Sequence, residues 1–330
     1  MTNFQIWGKA LTGMPRLTDE QWQQLDPVGR WLICVRASVL LMTFSSSILA
    51  GILALYFNVM DWGLWLLVTL GLCLAHATNN LINDATDYWR GIDKEEYFRN
   101  QYGVQPLARG LISRSGMLLL IGGTGLSALG IGLVLLWLRG ELVLHLLLAG
   151  CFFVLFYTWP LKKWGLGEPA VLLVWGPLMV GGGYYVISGE WSWLVALISI
   201  PYALGPTCVL FGKHIDKRAA DAAKGVRTLP VMLGDIRARR WVHYMLVLQY
   251  AVVVLLVVMG YLPWPTLFVL FGLKSARAMW RAYSKTTPQS KPERYPESVW
   301  PLWFSAYAFA HTRLFGGWLF LGLLVANFTG

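Results

Sequence analysis

The chain has 330 residues, 56% hydrophobic and 13% charged, with 18 Trp and a formal net charge of +10. These values exclude an ordinary soluble domain and a disordered chain, and point to a protein that crosses a membrane many times. Membrane topology and an anionic ligand account for the positive balance, so no nucleic-acid partner is required.

Residues 1–30 read as a cytoplasmic tail and 31–330 as one transmembrane domain. In the tail, Thr18-Asp-Glu-Gln21 has the capping-box pattern and is followed by Trp22 and Leu25 on one face, which predicts a short interfacial helix. Nothing in this stretch has the layout of a cleavable signal. Apolar runs at about 31–57, 62–83, 115–138, 141–160, 168–188, 193–212, 241–262, 264–283 and 300–327 predict an all-α membrane protein of nine spans. The tail and the loops after spans two, four, six and eight then share one side. Together with the basic end of span eight from Lys274 onward, they hold every Lys and Arg except Arg36, Arg139 and Arg313, and the opposite face has Arg139 alone. The positive-inside rule makes the Lys/Arg-rich side cytoplasmic.

Arg36 lies several residues into span one, where it either snorkels to headgroups or faces an internal cavity. Span two ends in the amide and carboxylate cluster Asn79 to Asp93. Within it Asn80, Asn83, Asp84 and Asp87 recur at i, i+3, i+4 and i+7, so a helix carries all four on one face. Carboxylates at the end of a membrane span are functional candidates, because desolvating them is unfavourable without a partner or metal. A long polar loop with Lys94, Arg99 and Arg109 follows, of the kind that forms lids or binding segments. In span three, Gly122, Gly123, Gly125 and Gly130 predict close helix packing.

Tyr157 to Glu168 interrupts the apolar pattern. Lys162 and Lys163 there serve as an anion contact or as topology determinants, and Glu168 suits the start of a helix. His76, His145, His243 and His311 are isolated along the spans and read as structural. Cys34, Cys73, Cys151 and Cys208 lie in apolar runs, without a CxxC, and read as small core side chains. A second cluster closes span six, where Lys213, His214, Asp216, Lys217 and Asp221 precede the helix-limiting Gly225 and Pro230.

Two acidic groups on separate helices, each flanked by Lys or Arg, suit Mg2+ held by carboxylates and completed by substrate phosphates. A metal-bound diphosphate is a good leaving group. On an allylic isoprenoid, C–O cleavage gives a carbocation that aromatic ring faces shield.

Asn83-Asp-x-x-Asp87 with Gly91 and Asp93 resembles the first signature of the UbiA-type intramembrane prenyltransferases. Gln105-Pro-Leu-Ala-Arg-Gly-Leu-Ile-Ser113 resembles the segment that follows it. Gly165-Leu-Gly-Glu168, Trp175-Gly-Pro-Leu-Met179 and Gly183-Tyr-Tyr185 resemble the menaquinone-type branch, which prenylates dihydroxynaphthoate. Asp221, Gly225, Arg227-Thr-Leu-Pro230 and Leu233-Gly234 resemble the second signature and its tail. The resemblance implies a nine-helix bundle around a central cavity, with a cytoplasmic cap from the loops after helices two and six. It implies Mg2+ as cofactor, an isoprenyl diphosphate and an aromatic acceptor as substrates, and the lipid bilayer, the inner membrane in a bacterium, as surroundings.

Carried onto this sequence, the metal ligands are Asn83, Asp84, Asp87, Asp93, Asp216 and Asp221, with Asp84, Asp87, Asp216 and Asp221 the catalytic carboxylates. Asn83, Arg90, Arg109, Lys162, Lys213, Lys217 and Arg227 are expected at the diphosphate. Arg36, Asn80 and Tyr157 are expected around the acceptor or cavity. The chain departs from the family's second DxxxD, since Lys217 stands four residues before Asp221 and Asp216 five. On a regular helix Asp216 and Asp221 diverge, whereas His214, Lys217 and Asp221 share a face. Either a π-bulge or unwound turn restores the Asp pair, or Lys217 meets the diphosphate directly. A terpene cyclase or another lipid prenyltransferase with the same site remains an alternative, as does a carrier with an anion site.

Overall fold

The computed structural model describes residues 2–92, 103–297 and 299–329. Three short helices open the chain: α1 (Asn3–Thr12), α2 (Asp19–Gln23) and α3 (Pro27–Cys34). The capping box expected at Thr18 starts α2, with Gln21 N donating to Thr18 Oγ1 at 3.2 Å and Thr18 N donating to Gln21 Oε1 at 3.0 Å. Asp26 caps α3 by accepting from Gly29 N at 2.8 Å. Ile6, Ala10, Leu17, Trp22 and Leu25 are buried in one apolar cluster with Ala77, Leu81 and Met117, so the tail is packed onto the bundle.

The bundle is built from α4 (Ala37–Tyr56), α5 (Trp62–Trp89), α6 (Arg114–Arg139), α7 (Glu141–Phe156), α8 (Gly167–Leu173), α9 (Gly182–Ser188), α10 (Trp193–Asp216), α13 (Asp235–Val258) and α15 (Phe304–Thr329), among which the short α8 and α9 join through a π-helical stretch, Val174–Gly181, into one long segment. Between α10 and α13 lie α11 (Arg218–Ala223) and α12 (Leu229–Leu233). Among the described residues, 8 helical segments are long and apolar enough to cross a membrane. The remaining expected span, at 264–283, is split into a 3-10 helix, Trp264–Gly272, and α14 (Leu273–Tyr283). Pro265 stands in the first turn of the 3-10 piece, and α15 presses so close that a Cβ on Gly322 would sit 2.4 Å from Pro265 O. Nine residues at ~2.0 Å and eleven at ~1.5 Å still reach about 34 Å.

Burial separates centre from rim. Within their apolar windows 72% of α10 is buried, against 11% of α6. The glycines of span three do not all pack as expected: a Cβ on Gly125 would lie 3.3 Å from Thr78, but one on Gly122, Gly123 or Gly130 would meet nothing within 4 Å. Gly122 and Gly125 instead line a cavity of about 1550 Å³ enclosed by α4 to α10 and α15. That volume exceeds the roughly 300–1000 Å³ typical of small-molecule sites.

Candidate functional site

The expected first span is broken. Arg36 takes left-handed backbone angles (φ 54°, ψ 57°) between α3 and α4, a conformation costing roughly 1–2 kcal/mol for a non-glycine residue. The break leaves the Val35 carbonyl without a continuing helix, and Asn80 Nδ2 donates to it at 2.9 Å. It also swings the Arg36 side chain to α5, where it pairs with Asp84 and donates to Asn83 Oδ1 at 3.3 Å. Arg36 thus faces the cavity.

All four polar residues of the α5 face are buried, each 9% exposed or less. Asn83 Nδ2 donates to Thr158 Oγ1 at 3.0 Å, and Lys162 Nζ donates to both Asp87 oxygens at 3.1 and 3.3 Å. Lys162 reaches Asp87 because a π-helical turn, Tyr157–Leu161, ends α7 and a 3-10 turn, Lys162–Trp164, turns the chain back. Pro160 within that turn lacks the N–H that a regular α-helix needs. The two adjacent lysines are thereby separated, Lys162 buried and Lys163 exposed.

On the facing element, α10 unwinds at Lys217 (φ −106°, ψ 12°) before α11 begins. Lys217 Nζ meets Asp221 Oδ1 at 3.0 Å, and Asp221 is fully buried. The unwound turn does not restore the expected Asp pair. It directs Asp216 to the start of α15, where Oδ1 accepts from Phe304 N at 2.8 Å and Oδ2 from Ser305 N at 3.0 Å. Those are two of the N–H groups that a helix start leaves without intrahelical partners. Asp216 is therefore a cap for the last helix, and it is absent from the described cavity lining.

The remaining expected residues divide in the same way. Asn80, Asn83, Asp87, Tyr157, Lys162, Lys213 and Lys217 line the cavity's polar end. Arg109 does not: it pairs with Asp19 and donates to Leu17 O at 2.9 Å, tying the loop to the tail. Arg90 is exposed with its guanidinium 5.1 Å from the Trp159 ring centre, and Arg227 is exposed. Asp93, with Lys94 and Arg99, lies outside the described residues. Glu168 begins α8 as expected but also meets His214 Nδ1 through Oε1 at 2.5 Å, both side chains being buried. Lys224 Nζ donates to Ile92 O, joining the segment after α5 to α11.

Among the described residues no three His, Cys, Asp or Glu side chains assemble a metal cage. Mg2+ does not require one, since it binds through one or two carboxylates and completes its shell with phosphate and water. Asp84 and Asp87, one turn apart on α5, supply with the neighbouring Asn83 side-chain oxygen hard oxygen donors of that kind. Each is matched to a cation, Arg36 or Lys162, which a divalent ion would release towards phosphate. The donor set fits the metal.

Residues 44–306 match the model of the UbiA prenyltransferase family. The chain is 27% identical over 228 residues to the 1,4-dihydroxy-2-naphthoate octaprenyltransferase of Escherichia coli strain K12, covering 66% of this chain and 73% of that one. It is 28% identical over 199 residues to the 2-carboxy-1,4-naphthoquinone phytyltransferase of Synechocystis sp. PCC 6803, covering 59% of this chain and 62% of the relative, less than two thirds of its length. In fold it is similar to a UbiA homolog from Archaeoglobus fulgidus bound to GPP and Mg2+, with a TM-score of 0.58 at 15% identity over 89% of this chain and 99% of that one. A digeranylgeranylglyceryl phosphate synthase structure matches at a TM-score of 0.57 and 16% identity, over 92% and 99% of the two chains.

Proposed function

Because this chain belongs to the UbiA prenyltransferase family, we propose that it transfers an isoprenyl group from an isoprenyl diphosphate to a hydroxylated aromatic ring within the membrane. The observation that supports this reading most is the polarity of the cavity. One end gathers Asn83, Asp87, Lys162, Lys213 and Lys217, and the walls beyond are apolar. Charge at one end and a long apolar channel at the other match a diphosphate with a hydrocarbon tail.

Asp84, Asp87, Asn83 and Asp221 would hold Mg2+, which when bound would supply positive charge against the diphosphate. Lys162, Lys213 and Lys217 take the remaining negative charge on the phosphate oxygens. The bond between the allylic carbon and the diphosphate oxygen breaks, and pyrophosphate departs with the electron pair. Rings such as Tyr157, Phe153 and Phe309 line the cavity and shield the cation. The acceptor's ring carbon then forms the new C–C bond, and the group it carried there leaves as a proton or carbon dioxide. Walls of Leu, Val and Ile keep water from capturing the cation first.

The naphthoate-type acceptors named for the relatives of Escherichia coli and Synechocystis support the menaquinone-type branch. In this reading the segment at 264–283 is the ninth crossing, and the Lys/Arg-rich loops face the cytoplasm, over the inner membrane in a bacterium. Purified protein with geranyl diphosphate and Mg2+ tests the proposal, with and without 1,4-dihydroxy-2-naphthoate and beside Asp84→Asn. Pyrophosphate release that needs both the acceptor and Asp84 is expected. Release without an acceptor would indicate cyclisation, and transport without any bond cleavage would indicate a carrier.

A further inference from the structure

The cavity wall carries a polar node that the diphosphate end does not use. On α5, His76 lies seven residues before Asn83, about 10 Å deeper along the axis. Its Nδ1 is 2.7 Å from Thr43 Oγ1 on α4. Trp175, in the π-helical stretch between α8 and α9, donates its Nε1–H to the same hydroxyl at 3.0 Å. The His76 and Trp175 rings meet edge to face, with centres 5.6 Å apart at 69°. His76 and Trp175 both line the cavity.

The hydrogen bonds fix the proton on the imidazole. Indole N–H only donates, so Thr43 Oγ1 accepts from Trp175. Thr43 is fully buried, and leaving its own hydrogen without an acceptor is unfavourable. The hydroxyl therefore donates to His76 Nδ1, and the ring's proton sits on Nε2. Among the described residues, no protein group accepts from Nε2.

A donor held in this way does not suit a hydrocarbon tail, which offers nothing to accept it. Towards the deep end the walls are plain, with Val68, Leu72, Leu129, Leu135 and Leu146. The node thus stands between the charged mouth and the apolar end. The separation from Asn83 leaves room for a diphosphate and its allylic carbon between them.

We infer that His76 and Trp175 form the binding subsite for the aromatic acceptor. A hydroxyl or keto oxygen of the ring accepts from His76 Nε2–H, and the ring packs against the Trp175 indole. This orients a ring carbon towards the allylic carbon and sets preference for oxygenated rings over plain hydrocarbons. The inference rests on the prenyl-transfer reading above.

Steady-state kinetics of full-length His76→Leu and His76→Gln separate the two ideas, with geranyl diphosphate as donor and 1,4-dihydroxy-2-naphthoate as acceptor. His76→Leu is expected to raise the acceptor KM about tenfold, the loss of one hydrogen bond, while the donor KM stays within about twofold. His76→Gln, whose amide nitrogen reaches the place of Nε2, is expected to recover most of that loss. Thr43→Val, a smaller change that frees the imidazole, is expected to raise the acceptor KM several-fold and guards against a variant that fails to fold. Equal rises in both KM values, or an unchanged acceptor KM in His76→Leu, would overturn the subsite. Wild-type protein that releases pyrophosphate without any acceptor would instead overturn the prenyl-transfer reading, and the subsite with it.

Discussion

Asp216 Oδ1 accepts the backbone N–H of Phe304 at 2.8 Å, across 88 residues of sequence. The carboxylate that closes α10 thereby caps the last helix, and its neighbour Lys217, which lines the cavity, pairs with the buried Asp221. The pairing divides a cluster that is continuous in sequence into a part that caps a helix and a part that forms a buried ion pair beside the cavity.

Asp216→Ala is expected to lower stability by roughly 1–2 kcal/mol, as for a lost helix cap, while retaining measurable turnover. Asp221→Asn is expected to abolish turnover and, because it leaves the buried Lys217 without this carboxylate, to lower Tm as well. Thermal unfolding in detergent together with pyrophosphate release distinguishes them. Equal loss of turnover in both would return Asp216 to the metal site.

Replacing Lys217 takes from the fully buried Asp221 the cation that lies 3.0 Å from its Oδ1. Lys217→Met is therefore expected to destabilise the protein by about 3–5 kcal/mol and to raise the KM for isoprenyl diphosphate. Saturating diphosphate with Mg2+ should recover part of the stability through binding. A ligand-dependent shift in Tm equal to wild type would argue against contact with diphosphate.

Arg109 is paired with Asp19 on the tail, both partly exposed. An exposed pair contributes at most about 1 kcal/mol. Arg109→Ala and Asp19→Ala are thus expected to change Tm slightly and non-additively, with the donor KM unaltered. A large rise in donor KM for Arg109→Ala alone would place it at the diphosphate after all.

Gly212 lets α15 approach α10 where Asp216 caps it. A Cβ there would lie 2.4 Å from Tyr283 Oη and 2.6 Å from Ser305 N. Gly212→Ala is expected to cost about 1–3 kcal/mol through overpacking, read as a lower Tm. An unchanged Tm would mean that the two helices separate easily.

Chelation provides a separate test of the metal. EDTA should stop pyrophosphate release and added Mg2+ restore it, because Asp84 and Asp87 offer too few donors to retain Mg2+ without phosphate.

What the sequence determined by itself is local. Asn80, Asn83, Asp84 and Asp87 share a face because helical geometry repeats every 3.6 residues, and hydropathy over some twenty residues marks each crossing whatever surrounds it. Tertiary structure decided which groups meet. Spacing sets Asp216 off the face that His214, Lys217 and Asp221 share, but only the unwound turn at Lys217 and the close approach of α15 allowed by Gly212 send it to Phe304. His76, Thr43 and Trp175 lie on three separate stretches and have no shared motif, so nothing local marked them as a unit. Arg36 reaches Asp84 only because the chain adopts a left-handed turn that a continuous apolar run does not announce. Helical periodicity is a property of the covalent backbone, whereas these pairings depend on how whole helices pack.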